Sequence, residues 1–167
     1  NYLTKMRAVD LFCGCGGLSL GLINSGIEII AAYDNWEPAL KTYEKNFPHP
    51  ISNIDLSDEE NYALISDLDP DLIVGGPPCQ DFSSAGKRDE TLGRADLTIH
   101  FARIVSLARP KWFIMENVDR IIKSQTLIKV KEILLNSGYG LSQTILNASL
   151  CCVPQSRKRF FLIGELD

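Results

Sequence analysis

Cys79 stands behind two prolines and ahead of Gln80 in the stretch Gly75-Gly-Pro-Pro-Cys-Gln80. Two prolines fix the backbone and remove amide donors, so the residue after them is held in one place. The apolar run before them, 71–74, reads as a short buried strand, and ligands in open α/β sheets gather outside the carboxyl ends of strands. A thiol held there is a candidate nucleophile. The competing reading is a small hydrophobe, since free cysteine is among the most buried residue types. A second apolar run, 111–118, ends on Glu116-Asn117. A carboxylate at the end of a hydrophobic strand tends to be desolvated, which raises its pKa and lets it donate a proton. Such an acid also serves simply to cap a following helix. The one tight basic cluster is Arg157-Lys-Arg159, near the end of the chain.

A nucleotide-like ligand is suggested by the opening of the chain. Residues 7–12 read as a strand that runs into Cys13-Gly-Cys-Gly-Gly17, followed by a helix through 18–26 with Gly26 as its stop. Glycines let a ligand approach the backbone, and a helix N-terminus offers free amides to an anion. The dinucleotide fingerprint is not met, because Ser19 stands at the third glycine position, and a phosphate-binding P-loop is absent as well. Glycine turns alone are weak evidence, and plain loops use them too. The next strand, 27–34, ends in Asp34, where a ribose diol is held in folds of this kind. Trp36 beside it is placed either to stack on a purine or to cap the core.

These residues must be positioned by alternating strands and helices. Pro38 suits the first turn of a helix running to about Phe47, and a brief strand carries Asn53-Ile-Asp55. Ser57 with Glu60 predicts a capping box for a helix to about Leu68. Residues 81–95 form a long polar loop, either a binding lid or a surface excursion. Helices over 96–108 and 125–136 flank the strand at 111–118, and strands at 141–150 and 160–164 close the chain. The alternation predicts a mostly parallel sheet with helices on both faces, and one domain over 1–167.

Composition narrows the classes. The chain has 167 residues, 45% hydrophobic and 23% charged, with a net charge of −4, enough for one core. No apolar run reaches the roughly 18 residues of a membrane helix. The first residues lack a signal-peptide pattern, so an intracellular setting, cytoplasmic in a bacterium, is expected. Five cysteines without paired spacing and two histidines make a metal site an unexpected feature. A mildly acidic chain grips nucleic acid poorly as a whole, because phosphate contacts need clustered Lys and Arg.

With the pieces in order, the chain resembles the cytosine-5 DNA methyltransferases. The resemblance rests on DLFCGCGGLS at 10–19, the acid-aromatic pair at 34–36, Asp55-Leu56, GGPPCQDFSSAG at 75–86, FIMENV at 113–118 and VPQSRKRFFLIG at 153–164. It covers the chain from about Arg7 to Gly164. The family's relative that methylates tRNA cytosine shares most of these motifs, so an RNA substrate stays open beside DNA.

The resemblance implies a Rossmann-like methyltransferase fold with an antiparallel last strand, and S-adenosyl-L-methionine as methyl donor. It implies a cofactor site of Phe12, Gly14, Cys15, Gly16, Gly17, Leu18, Asp34, Asn35, Trp36, Asp55, Leu56, Pro78 and Leu97. In that site Asp34 takes the ribose hydroxyls, Trp36 one adenine face and Leu97 the other. It makes Cys79 the nucleophile, Glu116 the proton donor, and Arg157 and Arg159 the groups that orient the base. Gln80, Ser83, Ser84, Asn117 and Gln155 are implied at the substrate. The expected partner is double-stranded DNA, with the target base flipped out of the helix. Family members continue with a target-recognition region, and the resemblance places residues 1–167 in the portion that precedes it. The expectation is therefore a catalytic portion that needs a second polypeptide or a C-terminal region for recognition. The alternative is a cofactor-binding or scaffold module with little activity alone.

Overall fold

The computed structural model describes residues 5–78 and 97–167. Seven strands form one sheet in the order β3-β2-β1-β4-β5-β7-β6. β1 (Arg7–Leu11) and β4 (Leu72–Gly75) lie at its centre, with all of β4 and all but the first residue of β1 buried. Strands covered on both faces read as unbroken apolar runs, and the sequence of β4 is Leu-Ile-Val-Gly. β2 (Glu28–Asp34) and β3 (Ile51–Asn53) extend the sheet on one side, in parallel. β5 (Trp112–Val118) continues it in parallel on the other. β7 (Lys158–Leu166) then runs antiparallel between β5 and the edge strand β6 (Tyr139–Asn147).

The chain leaves β1 toward β2 and returns to the other side of β1 at β4, so the strand order reverses between them. A crevice opens outside the carboxyl ends of strands at such a switch point. Gly75 ends β4 there, and a Cβ on it would meet Leu11 O at 2.5 Å and the Phe101 ring at 2.9 Å. Only glycine lets the two strand ends approach this closely.

The helices are α1 (Gly17–Asn24), α2 (Glu37–Asn46), α3 (Tyr62–Ser66), α4 (Leu97–Ala108) and α5 (Gln125–Asn136). The main core gathers Phe101, Ile104 and Val105 of α4 and Val130 and Leu134 of α5 against Ile73, Phe113, Met115, Phe160 and Leu162 of the sheet. Phe113 sits edge-on to both Phe101 and Tyr139, with ring centroids 6.3 and 5.2 Å away.

Two local expectations are corrected. The capping box of Ser57 with Glu60 does not form. Asp58 is the cap instead, accepting from Glu60 N at 3.0 Å at the head of a 3-10 turn, Glu59–Asn61. The Ser57 amide and hydroxyl are taken by Asp55 Oδ1 at 2.9 and 2.7 Å. A carboxylate two residues back satisfies a serine locally, which leaves the capping position to the next acid. The strand placed at 141–150 spans Tyr139–Asn147, because Asn147 caps a 3-10 turn, Ala148–Leu150, and ends the ladder. Among the described residues, no helix is long and apolar enough to cross a membrane.

Candidate active site

Two clusters face the crevice. The first is an open hollow lined by Phe12, Asp34, Asn35, Ile54, Asp55, Leu56 and Leu97. Asp34 organises its floor. Oδ2 accepts from Gly14 N at 2.8 Å, and Oδ1 accepts from Asn35 N at 2.8 Å and Trp36 N at 2.9 Å. A carboxylate has about four acceptor positions, and these bonds take three of them. The acid therefore ties the glycine turn to the end of β2 while keeping capacity for a ligand hydroxyl.

Phe12 adopts φ +55, a left-handed conformation uncommon for a bulky residue. Backbone strain of this kind gathers at ligand sites, and Phe12 lines the hollow. Trp36 is 63% exposed, which excludes the core-capping alternative and leaves a bare aromatic face beside Asn35. Leu56 is buried and Leu97 partly buried. Gly16, at φ +92, precedes α1 with no side-chain cap on the helix. An uncapped helix start offers amides to an anionic ligand group. An apolar slot, an exposed indole, a carboxylate and free helix amides together suit an adenosine carrying an amino-acid tail.

The structure separates some residues that the sequence grouped together. Leu18 packs beneath the sheet with the cluster around Ile29 and Leu72. Gly14, Cys15, Gly16, Gly17, Trp36 and Pro78 are not among the walls of the hollow. Ile54, which does line it, carried no signal in the sequence beyond lying next to Asp55.

The second cluster lies at the ends of β4, β5 and β7. Arg159 Nε donates to Glu116 Oε1 at 2.9 Å, with each side chain 24% exposed. The register pairs Arg159 with Val118. Glu116, two residues earlier on β5, is thus the diagonal neighbour on the same face, within reach of a long side chain. Burial raises the Glu116 pKa, while the charges of Arg159 and Arg157 and the hydrogen bond from Arg159 pull it back down. A Cβ on Gly76 would lie 3.2 Å from Glu116 Oε2, so this carboxyl sits against the loop that leads to Cys79.

Asn117 points to the other face and is 4% exposed. Its Nδ2 donates to Pro77 O at 2.9 Å, and its Oδ1 accepts from Val118 N. Named from the resemblance as a substrate contact, it is found beneath the loop, holding the first of the two prolines. Strand alternation explains the division, since neighbouring residues face opposite sides. Arg157 and Gln155 are exposed, and Asn147 Oδ1 accepts from Arg157 N at 3.0 Å. Asn147 is a positioning residue that the sequence did not single out. Its one prior signal is its type, a frequent turn former.

Cys79, Gln80, Ser83, Ser84 and the loop 81–95 lie outside the described residues. Cys13 is buried, and burial pushes its thiol far above the ordinary range. A thiol in that state is inert.

A sequence model of C-5 cytosine-specific DNA methylases matches residues 6–167. The Type II methyltransferase M.HindV of Haemophilus influenzae is 60% identical over 163 residues, which is 97% of this chain and 54% of that protein. M.HgiDI of Herpetosiphon aurantiacus is 56% identical over 161 residues, 96% of this chain and 52% of that protein. The chain thus spans about half the length of these curated relatives. Among solved structures, the Entamoeba histolytica methyltransferase EhMeth matches at TM-score 0.81 and 25% identity, over 98% of this chain and 54% of the other. The S. pombe Dnmt2 methyltransferase shares the fold at TM-score 0.82 and 23% identity, over 98% of this chain and 50% of the other. A glycine turn clamped by a strand-end acid, and a partly buried glutamate paired with arginine beside the segment Gly76–Pro78, are thus features of a chain that belongs to the C-5 cytosine-specific DNA methylase family.

Proposed function

We propose that this chain is the catalytic half of an enzyme that methylates carbon 5 of cytosine in double-stranded DNA, with Cys79 as its covalent nucleophile. The observation that carries the reading is the Glu116–Arg159 pair, 2.9 Å apart and set against the Gly76–Pro78 loop. Carbon 5 of cytosine is a poor nucleophile. A thiolate adding at carbon 6 turns the ring into an enamine that attacks an electrophilic methyl group. Cys79, directly after Pro78, is the residue placed to add. S-adenosyl-L-methionine, when bound, supplies that methyl on a sulfonium.

Glu116 meets the ring nitrogen and amino edge of the base and donates a proton as the adduct forms; its raised pKa supports the protonated state. Arg159 holds the Glu116 carboxyl and, with Arg157, places positive charge near the thiolate, which favours its ionised form. Asn117 fixes Pro77, which stands two residues before Cys79 in the sequence. Removal of the carbon 5 proton and elimination then release Cys79 from the product. On the cofactor side, Trp36 stacks on the adenine, Asp34 receives a ribose hydroxyl, Leu56 and Leu97 close on the base, and the amides of Gly17 and Leu18 at the head of α1 meet the amino-acid tail.

Target choice is assigned to a second polypeptide or C-terminal region, in keeping with the half-length match to relatives. The test is label transfer from methyl-tritiated S-adenosylmethionine to duplex DNA and to tRNA, with the chain alone and with a C-terminal partner. Label on carbon 5 of cytosine in DNA is expected with the partner. A folded, cofactor-binding chain that labels neither nucleic acid in the mixture overturns the enzyme reading. Label on tRNA alone overturns the DNA assignment.

A further inference from the structure

Beneath the glycine turn, a line of polar side chains crosses the core. Asp10 near the end of β1 is fully buried, and its Oδ2 accepts from Ser19 Oγ at 2.6 Å. Ser19, in the first turn of α1, is also fully buried, and its hydroxyl meets Tyr43 OH of α2 at 2.6 Å. Tyr43 OH meets His49 Nε2 at 2.5 Å. His49 lies between α2 and β3 and is partly exposed. A carboxyl sealed in the core is thereby connected to an imidazole that reaches water. The proposed chemistry uses none of these four groups.

Each hydroxyl in the line has one proton to give, so the line has two complete orderings. With Asp10 ionised, Ser19 donates to Asp10, Tyr43 donates to Ser19, and His49 Nε2–H donates to Tyr43. With Asp10 protonated, every bond runs the other way, and Tyr43 donates to a bare Nε2 while the imidazole carries its proton on Nδ1. A single proton entering at His49 Nδ1 converts one ordering to the other. Nε2–H passes its proton to Tyr43, Tyr43 to Ser19 and Ser19 to Asp10, and the total gain is one proton.

The surroundings favour this exchange near neutral pH. Burial raises the Asp10 carboxyl to about 7, opposed by hydrogen bonds from Ser19 and assisted by the charge of Asp34. Burial lowers His49. Among the described residues Asp10 Oδ1 has no hydrogen-bond partner, a cost that shrinks when the carboxyl is neutral. Among the described residues, the ionisable groups facing Asp10 are Asp34 of β2, Cys13 of the glycine turn and Tyr43 of α2. Asp10 is paired with Ala32 on β2 and Val74 on β4, which bring no charge. Burial pushes the Cys13 thiol and the Tyr43 phenol upward, so both stay neutral in this range.

The line also grips the turn. Ser19 belongs to the helix that the turn opens, and a Cβ on Gly16 would lie 2.2 Å from the Phe47 ring and 3.0 Å from the Tyr43 ring. We propose that Asp10, Ser19, Tyr43 and His49 form a two-state proton relay that positions the glycine turn and ties the turn's preference for a cationic sulfonium nucleoside to the relay's proton occupancy. This inference rests on the reading of the turn as a cofactor site. Ionised Asp10 places a negative charge under the turn and favours the sulfonium. Binding therefore makes the relay harder to protonate, by reciprocal linkage.

The test is calorimetric titration of the whole chain with S-adenosylmethionine and with the uncharged thioether S-adenosylhomocysteine, from about pH 5.5 to about pH 8.5. It is paired with nitrogen NMR of the His49 ring in the ligand-free chain. The sulfonium is expected to bind roughly threefold to tenfold more weakly at the acid end, with the thioether almost unchanged. The His49 proton should move between ring nitrogens near neutral pH. Tyr43→Phe should abolish the difference between the two ligands, and His49→Ala should do the same if Tyr43→Phe does not fold. Equal pH dependence for both ligands, a wild-type profile in the variants, or a fixed His49 tautomer each overturns the relay. Failure of both ligands to bind at every pH overturns the cofactor reading and the affinity claim with it. The His49 signal in ligand-free protein still decides the relay.

Discussion

On the β1–β2 side of the sheet, the carboxylate of Asp34 accepts three backbone amides. On the β5–β7 side, Glu116 has an arginine partner and a desolvated setting that raises its pKa. Amides are fixed by the backbone, so Asp34 is held in one geometry, which suits an acid that shapes a binding turn. An arginine on a flexible stem holds Glu116 without committing it, and burial keeps its proton within reach, which suits an acid that exchanges one. In the proposed reading the same residue class does opposite work at two ends of one crevice, and the partners decide which.

Substitutions should divide along this line. Glu116→Ala is expected to lower turnover by roughly 10²–10⁴-fold while cofactor affinity stays near wild type; near-normal turnover, measured with a C-terminal partner, would break the contrast. Trp36→Ala should weaken cofactor binding by roughly 5- to 150-fold, the range of base–aromatic stacking at 1–3 kcal/mol. Calorimetry that returns wild-type affinity would remove the stacking role. Asn117→Ala leaves the Pro77 carbonyl buried and unpaired, at a cost of about 1–3 kcal/mol in denaturant unfolding. Turnover should fall with it while the cofactor constant holds, and the reverse pattern would move Asn117 to the other side of the molecule.

The relay beneath the glycine turn adds a pH signature to the binding half. Asp10 titrates near 7 when folded and near 3.9 when unfolded, so the folded chain holds the proton more tightly. Its contribution to stability is complete below about pH 4 and is lost as pH rises through about 7. Asp10→Asn should flatten that slope in thermal unfolding; an unchanged slope would show that Asp10 does not titrate there. The smallest effect is expected at Lys41–Glu37, an exposed i,i+4 pair, where Lys41→Ala should cost less than about 0.5 kcal/mol. A larger loss would mean that α2 is held less by Tyr43 and Leu40 than the packing indicates.

Much of this was legible before the fold. The Gly-rich turn, Asp34, the Asp55-Leu56 pair and the strand ending on Glu116 are local patterns, and the period of the flanking apolar runs set the α/β alternation. Partner choice was not legible. That Asp34 turns back onto Gly14, or that Ser57 is taken by Asp55 and leaves the cap to Asp58, depends on which of several nearby donors arrives first in three dimensions. The division of Glu116 and Asn117 between opposite faces follows from strand alternation, yet the need for Asn117 beneath Pro77 appears only once β4 and β5 pair. Asn147 and Ile54 had no sequence signal stronger than their neighbours, because their roles come from register with residues ten or more positions away.

The central claim is that the loop beside Glu116 carries the nucleophile. Duplex DNA containing 5-fluorocytosine blocks the final elimination, because fluorine cannot leave as a proton does, and so traps the thiol adduct. With cofactor and a C-terminal partner present, the wild-type chain should form a denaturation-resistant DNA complex. Cys79→Ser should form none while binding S-adenosylmethionine with unchanged affinity. A covalent complex that persists in Cys79→Ser would contradict the account.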